Sequence, residues 1–288
     1  MLLDDPSTRV LDLVDGRTVV TEEPDGRVRL GYRAPVAEDH DRFVAYLGHD
    51  APTGGTAYVL SVADGTSGSG EAAADPDAPE RHGLRGVGAQ LDDLDAGVLT
   101  TATGLANWHR RHRFCPLCGT PTAPAQSGWI RVCPGDGSEH YPRTDPAVIM
   151  SVVDENDRLL LARGVGFAAQ GMSVLAGFVE PGESLSAAVA REVHEEVGVR
   201  VTDVTYLGDQ PWPFPSSLMI GFTARAVSTE LVLQQDEIEE ARWFDREELA
   251  RAVADGSLRI SSRISIARRL IEHWYGEEID APETSLRG

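Results

Sequence analysis

The sequence predicts an α+β fold, and three observations carry that expectation. Short β-rich runs separated by Gly/Asp turns fill residues 8–62, apolar strands alternate with helical spacing after Asp145, and a compact segment holding all three cysteines lies between them. With 288 residues the chain has room for one large domain or two to three small ones. A hydrophobic content of 41% supports a packed core and argues against a disordered acidic tail. The net charge of −20, from 26 basic and 46 acidic residues with no lysine among them, argues against a broadly cationic nucleic-acid-binding surface. No apolar run reaches the roughly 20 residues that a membrane helix needs. The N-terminal Met1-Leu2-Leu3-Asp4-Asp5 lacks the pattern of a signal peptide. A cytoplasmic protein with no membrane partner is expected.

Arg9 to Val14, Arg27 to Tyr32, Arg42 to Leu47 and Ala57 to Val62 read as strands. Asp64 to Glu80 has no periodicity and is rich in Gly, Ser, Ala, Pro and acid, so it reads as a mobile loop. Leu91, Leu94, Val98, Leu105 and Trp108 give helical spacing over about Asp92 to Arg113. After the cysteine segment, Phe114 to Pro142, the runs Ala147 to Val153 and Leu159 to Ala162 are apolar strands about a polar Asp-Glu-Asn-Asp turn. Ser173 to Leu175 is a short extended run, and Ser184 to Val197 is a helix that Gly198 ends. Val201 to Tyr206, Leu218 to Ala226 and Ala241 to Phe244 read as strands. Asp245 to Ala254 and Ser261 to Tyr275 read as closing helices. Three domains are expected, 1–113, 114–142 and 143–288.

Several motif-like stretches carry nothing. Gly86-Val-Gly88 lacks a third glycine and a preceding strand, a phosphate-binding G-x-x-x-x-G-K-[ST] loop cannot exist without lysine, and Ser216-Ser217 has no nucleophile-elbow surroundings.

The chemistry concentrates in Gly177 to Val199. Gly177 and Gly182 permit a sharp turn, and Ser184 can cap the helix that follows. Glu192, Glu195 and Glu196 then fall on one helical face beside an apolar stripe of Leu185, Val189, Val193 and Val197. Like charges on adjacent turns repel, and near a helix C-terminus the dipole disfavours anions too. A hard divalent cation bound through oxygen relieves that cost. The bland reading, a solvated acidic face, gives way before the full pattern. Gly177, Glu183, Arg191, Glu192, Val193, Glu195, Glu196, Gly198 and Val199 match G-x5-E-x7-R-E-U-x-E-E-x-G-U, with U aliphatic, at every specified position.

This segment resembles the signature of the Nudix hydrolases. The resemblance implies a Nudix α/β/α sandwich preceded by an N-terminal β-rich α/β domain and a small zinc-ribbon insert. It implies hydrolysis of a nucleoside diphosphate linked to another moiety. It also implies that Glu192, Glu195 and Glu196 hold Mg²⁺ or Mn²⁺ with the Ala176 carbonyl, while Arg191 and Glu183 orient the helix. Glu237, upstream of Arg242-Trp243-Phe244, resembles the distal metal carboxylate of the family. Glu196 or Glu237 is the candidate base.

Gln210-Pro211-Trp212-Pro213-Phe214-Pro215-Ser216-Ser217 narrows the substrate. Its prolines exclude a helix or a central strand, so it reads as a stiff extended loop displaying Trp212 and Phe214 to a planar ring. The segment resembles the hallmark of the NADH pyrophosphatase subgroup of Nudix hydrolases. Tyr141-Pro142-Arg143 resembles that subgroup's entry into the catalytic domain, and Ile266-Ala267-Arg268-Arg269 its last helix; both imply substrate contacts, by Tyr141 and by the Ala267 backbone. Packing of Ile264, Leu270, Ile271 and Trp274 accounts for that last helix equally well.

Cys115-Pro-Leu-Cys118-Gly is a zinc-knuckle turn, and Cys133 returns downstream as in a zinc ribbon. A second late cysteine is missing. His140 is the best chemical replacement as fourth ligand, and Asp136 stands where the partner of a C-x-x-C pair would fall. The implied Zn²⁺ is a structural staple.

The expectation is therefore a metal-dependent enzyme that hydrolyses NADH or NAD to NMN(H) and AMP and removes the NAD cap from the 5′ end of RNA. The subgroup implies a homodimer. One alternative is a Nudix hydrolase of ADP-ribose or another nucleotide diphosphate. The other is a zinc-ribbon RNA-binding module with an inert Nudix fold. Residues 101–143 hold five arginines against two acids, the one stretch where an RNA end meets positive charge.

Overall fold

The structure, a computed structural model, describes residues 2–24, 27–51, 55–63, 79–283 and 286. Most of the expected loop Asp64 to Glu80 lies outside the described residues. The chain divides into two compact units, Met1–Thr144 with Trp212–Ser216, and Asp145–Pro211 with Ser217–Gly288.

The first unit begins with β1 (Arg9–Val14), β2 (Arg17–Glu22), β3 (Val28–Leu30), β4 (Phe43–His49), β5 (Ala57–Ala63) and β6 (Arg81–Gly83). They form one sheet in the order β3-β2-β1-β5-β4, with β6 also on β2. Among the described residues of this sheet, only β1 and β5 pair in parallel. A single turn, α1 (Leu84–Val87), precedes α2 (Asp93–Arg111), which Asp92 caps by accepting from the Asp95 amide at 2.9 Å. The buried face of α2 is Val98, Leu99, Ala102, Leu105 and Trp108, whereas Leu94 is exposed on the first turn. Asp95 fixes the helix to the strand layer by accepting from the Leu30 amide at 2.9 Å and the Tyr32 hydroxyl at 2.7 Å.

The cysteine segment adds a three-stranded sheet, β7 (Ala123–Ala125), β8 (Ile130–Val132) and β9 (Glu139–His140). It is pinned within the first unit by two hydrogen bonds. The Trp129 indole donates to the Tyr46 carbonyl at 2.7 Å, and the His109 imidazole donates to the Gly128 carbonyl at the same distance.

The second unit contains β10 (Asp145–Val153), β11 (Leu159–Gly164), β12 (Leu175–Phe178), α3 (Leu185–Val197), β13 (Val201–Trp212, its last residue in the first unit), β14 (Ser217–Ala226), β15 (Ile238–Phe244), α4 (Arg246–Ala254) and α5 (Ile266–Tyr275). Its sheet runs β13-β14-β10-β11-β15, with β12 also on β10. Strand alternation sends Val148, Met150, Val152, Leu160 and Ala162 to one face, where Val189, Val193 and Val197 of α3 cover them. Ile149, Val153, Leu159 and Leu161 go to the other face, under Leu249 and Val253 of α4 and Leu270, Ile271 and Trp274 of α5. Each such side chain contributes about 1.5–3 kcal/mol on burial. Because both faces are covered, β10 and β11 read as continuous apolar runs. This is the expected α/β/α sandwich.

Four local expectations are corrected. Gly177 lies within β12 instead of forming a turn, while Ser173, extended as expected, bridges Ala162 just before that strand. Strand β13 continues through Gln210 and Pro211, because it is the outermost strand of its sheet and an edge tolerates a residue without an N–H. Helix α5 starts at Ile266 because Ser265 caps it, accepting from the Ala267 amide at 3.2 Å. Leu185, expected in the apolar stripe of α3, is exposed at the helix start.

Candidate active site and metal centres

Ser184 caps α3 as expected, accepting from the Ala187 amide at 3.3 Å, and Gly198 ends it in the left-handed conformation. The helix delivers Glu192 and Glu196 to buried positions and leaves Glu195 half exposed. Gly177 on β12 permits this approach: a Cβ there would overlap the Glu192 carboxyl group. Ala176 is the neighbouring residue on that strand, in register with Ile149 of β10.

Arg191 organises the acidic face. Its guanidinium grips Glu183 through two bonds, Nε to Oε1 at 2.8 Å and Nη2 to Oε2 at 2.9 Å. It also donates to Glu192 Oε1 at 2.8 Å, Glu195 Oε2 at 2.9 Å and the Phe178 carbonyl at 2.9 Å. One side chain thus joins the end of β12, the turn and two carboxylates of α3. The guanidinium holds the Glu183 carboxyl below its usual range.

Glu196 receives no such support. Its Oε2 atom is buried without a hydrogen-bond partner. Burial, then the charges of Glu192, Glu237 and Glu195, push its carboxyl up to about 8. Burial also raises Glu192, partly offset by Arg191, with Glu195 and Glu237 adding to the rise. Glu237 is exposed at the entry to β15, and its charge reaches both Glu192 and Glu196. An orphaned carboxylate oxygen among like charges fits a hard divalent cation bound through oxygen.

The proline-aromatic segment has two parts. Gln210 belongs to the second unit and is committed to the start of α5: its amide donates to the Ile264 carbonyl at 2.6 Å and accepts from the Ile266 amide at 2.8 Å. That sets the turn beside Ala267, which is itself buried. Trp212–Ser216 belongs to the first unit. There the Trp212 and Phe214 rings meet edge-on, with centroids 5.1 Å apart. The Arg85 guanidinium lies 4.1 Å from the Phe214 centroid and 5.5 Å from that of Trp212. The Asn107 amide donates to the Pro213 carbonyl at 2.7 Å. Sequence reading missed both Arg85 and Asn107; no local motif marks either. Tyr141 is exposed, its hydroxyl donating to Glu139 at 2.7 Å.

In the ribbon, one donor atom from each of Cys115, Cys118, Cys133 and Asp136 falls within 4.8 Å of all the others. Among the described residues this is the one group of three or more His, Cys, Asp or Glu drawn so close. His140, the expected fourth donor, is not among these four. His140 sits in β9 opposite Arg131, and its Nε2 is engaged by the Ser138 hydroxyl at 3.0 Å. Soft thiolates with one carboxylate or imidazole suit Zn²⁺.

The NUDIX domain profile matches residues 143–263, and that of the NADH pyrophosphatase zinc ribbon domain matches residues 110–141. NAD-capped RNA hydrolase NudC of Mycobacterium bovis is 44% identical over 259 residues, covering 86% of this chain and 80% of that protein. Human NAD-capped RNA hydrolase NUDT12 is 44% identical over 197 residues, covering 64% of this chain and 43% of its own length. A NUDIX hydrolase structure from Nitrosomonas europaea aligns with a TM-score of 0.45 at 21% identity, covering 58% of this chain and 95% of that one. The chain belongs to the Nudix hydrolases, in the branch that joins the Nudix domain to an NADH pyrophosphatase zinc ribbon. Among the described residues no helix is long and apolar enough to cross a membrane.

Proposed function

We propose that this protein hydrolyses the diphosphate of NADH and NAD to NMN(H) and AMP, and removes the same dinucleotide cap from RNA. The observation that carries this reading is the buried, unpartnered Glu196 oxygen amid Glu192, Glu195 and Glu237. The relatives named as NAD-capped RNA hydrolases supply the substrate class. Glu192, Glu195, Glu196, Glu237 and the Ala176 carbonyl would hold the cation. When bound, Mg²⁺ or Mn²⁺ neutralises the diphosphate oxygens and acidifies a water.

In the reaction the water oxygen bonds to one phosphorus and the bridging P–O bond breaks, the bridging oxygen leaving on the other phosphate. Glu196 or Glu237 takes the water's proton. Arg191, tied to Glu183, keeps Glu192 and Glu195 in place without touching substrate. Trp212 and Phe214 offer their rings to the planar base, with Pro211, Pro213, Pro215, Ser216, Ser217, Tyr141 and the Ala267 backbone as further contacts. Gln210 acts through the start of α5.

Cys115, Cys118 and Cys133 hold a structural Zn²⁺. The working organisation is an N-terminal domain over 1–113, a ribbon over 114–142 and a catalytic domain over 143–288, acting as a cytoplasmic homodimer.

The test is purified protein with NADH and Mg²⁺ or Mn²⁺, products separated, beside Glu196→Gln. NMNH and AMP from the wild type, and a loss of several orders of magnitude in the variant, are expected. Cleavage of ADP-ribose without turnover of NADH would move the assignment to another nucleotide diphosphate. RNA binding that Glu196→Gln leaves intact, without any hydrolysis, would point to an inert fold.

A further inference from the structure

The ribbon contains one turn built twice. Cys115-Pro116-Leu117-Cys118-Gly119-Thr120 and Cys133-Pro134-Gly135-Asp136-Gly137-Ser138 share Cys, Pro, Gly and a hydroxyl residue at positions one, two, five and six. Their backbones close in the same way. The Cys115 amide donates to the Thr120 carbonyl and the Gly119 amide to the Cys115 carbonyl, both at 2.9 Å. The Cys133 amide donates to the Ser138 carbonyl and the Gly137 amide to the Cys133 carbonyl, again both at 2.9 Å. The fifth residue turns left-handed in each, with φ of 74° at Gly119 and 77° at Gly137. At the fourth position the first turn has Cys118 and the second has Asp136.

The side chains follow the repeat. In the first turn the sixth-position hydroxyl of Thr120 lies 3.3 Å from Cys118 Sγ. In the second, Ser138 donates its amide at 2.9 Å and its hydroxyl at 2.6 Å to Asp136 Oδ1. That engages one carboxylate oxygen and leaves Oδ2 facing the sulfurs, 3.3 Å from Cys115 Sγ. Cys118 Sγ and Cys133 Sγ are 3.4 Å apart. Four donors converge from two like turns, and a hydroxyl braces the fourth-position donor of each.

We propose that the ribbon's metal centre is a three-thiolate, one-carboxylate site with Asp136 as its fourth ligand. This rests on the reading of the ribbon as a zinc site and assigns the ligand that the missing cysteine leaves open. A carboxylate carries the same charge as a thiolate, so the site keeps the net charge of a four-cysteine centre. It exchanges one soft sulfur for a hard oxygen, which makes the centre easier to strip of Zn²⁺ than its all-sulfur counterpart. His140 acts only behind the ligand, through Ser138.

The experiment measures bound zinc by elemental analysis, chelator competition, and the sulfur-to-metal absorption of the Co²⁺-substituted full-length protein. The wild type is expected to bind one metal with the absorption of three thiolates. Asp136→Cys should raise that absorption by about one third and hold metal more tightly, as a fourth sulfur predicts. Asp136→Ala should lose metal to the chelator more than about a hundredfold more readily. His140→Ala, which leaves all four donors in place, should lose metal far less readily than Asp136→Ala. Metal kept by Asp136→Ala and lost by His140→Ala overturns the assignment while the zinc reading stands. So does an absorption that Asp136→Cys leaves unchanged, a result that remains readable if Asp136→Ala fails to fold. Absence of bound metal from both the wild type and Asp136→Cys overturns the zinc reading itself.

Discussion

The carboxyl group of Glu192 fills the space in which a side chain on Gly177 would stand. The glycine is therefore a steric requirement imposed by a residue on another element, not a turn-former. Gly177→Ala leaves a backbone that β12 accepts but displaces Glu192. Turnover should fall about a hundredfold, as misplacement of catalytic groups by about an ångström does. A folded variant, checked by circular dichroism, with undiminished kcat would remove this role.

Arg191→Lys tests the guanidinium fork. Lysine keeps the charge but cannot reproduce two parallel bonds to Glu183 together with those to Glu192 and Glu195. The expected outcome is a loss in kcat of about tenfold or more, with weaker Mg²⁺ affinity. Rescue to wild-type kinetics by lysine would show that charge alone suffices.

Metal binding should depend on pH through Glu196. Its carboxyl is raised from 4.5 to about 8 in the folded, metal-free protein, so near neutrality the cation must displace its proton. Affinity for Mn²⁺ should rise with pH, by up to about tenfold per unit, and level off above about 8. For the metal-free protein the sign is opposite: the folded state holds the proton more tightly than the unfolded one. Glu196's contribution to stability is complete below about 4.5 and lost as pH rises through about 8. Titration calorimetry in buffers of different ionisation heat reads the released proton; Glu196→Gln should remove most of it.

His109 gives the reverse dependence in the first unit. Burial, with Arg131 nearby, lowers its imidazole from 6.5 to about 4, and its two nitrogens face the Gly128 carbonyl and the Arg131 guanidinium. Below about 6.5 the unfolded chain takes the proton first, so this stability is present above that pH and fades as pH falls toward 4. Thermal unfolding from pH 7 downward should show the decline. His109→Ala should cost about 2 kcal/mol at neutral pH and flatten that acid limb. An unchanged acid limb in the variant would assign the decline elsewhere.

Asn107→Ala removes the amide that holds the Pro213 carbonyl. The aromatic pair should be less well held, raising KM for NADH about tenfold with little change in kcat. A fall in kcat at constant KM would instead tie Asn107 to the chemical step.

The acidic helix was legible because its meaning is local: a helical repeat places Glu192, Glu195 and Glu196 together whatever surrounds them. The meaning of Gly177 was not, since it depends on which side chain arrives from α3. Prolines argued correctly against a central strand, but whether β13 lies at an edge is set by sheet order, which no local pattern encodes. Leu94 and Leu185 keep the apolar spacing of their helices yet fall on first turns where the packed layer does not reach. Ligand chemistry favoured His140, whereas turn geometry brings Asp136 to the sulfurs. Arg85 and Asn107 belong to ordinary segments and acquire their roles only from the fold.

The segment Trp212–Ser216 leaves the second unit's chain for five residues and takes its neighbours from the first unit. Arg85, Gly104 and Asn107, which meet it there, lie about a hundred positions upstream. A change at 107 is therefore felt at 213, although the acceptor there is a backbone carbonyl that any residue supplies. Recombination that joined this catalytic half to a foreign N-terminal half would inherit the aromatic rings without the residues shaped to receive them.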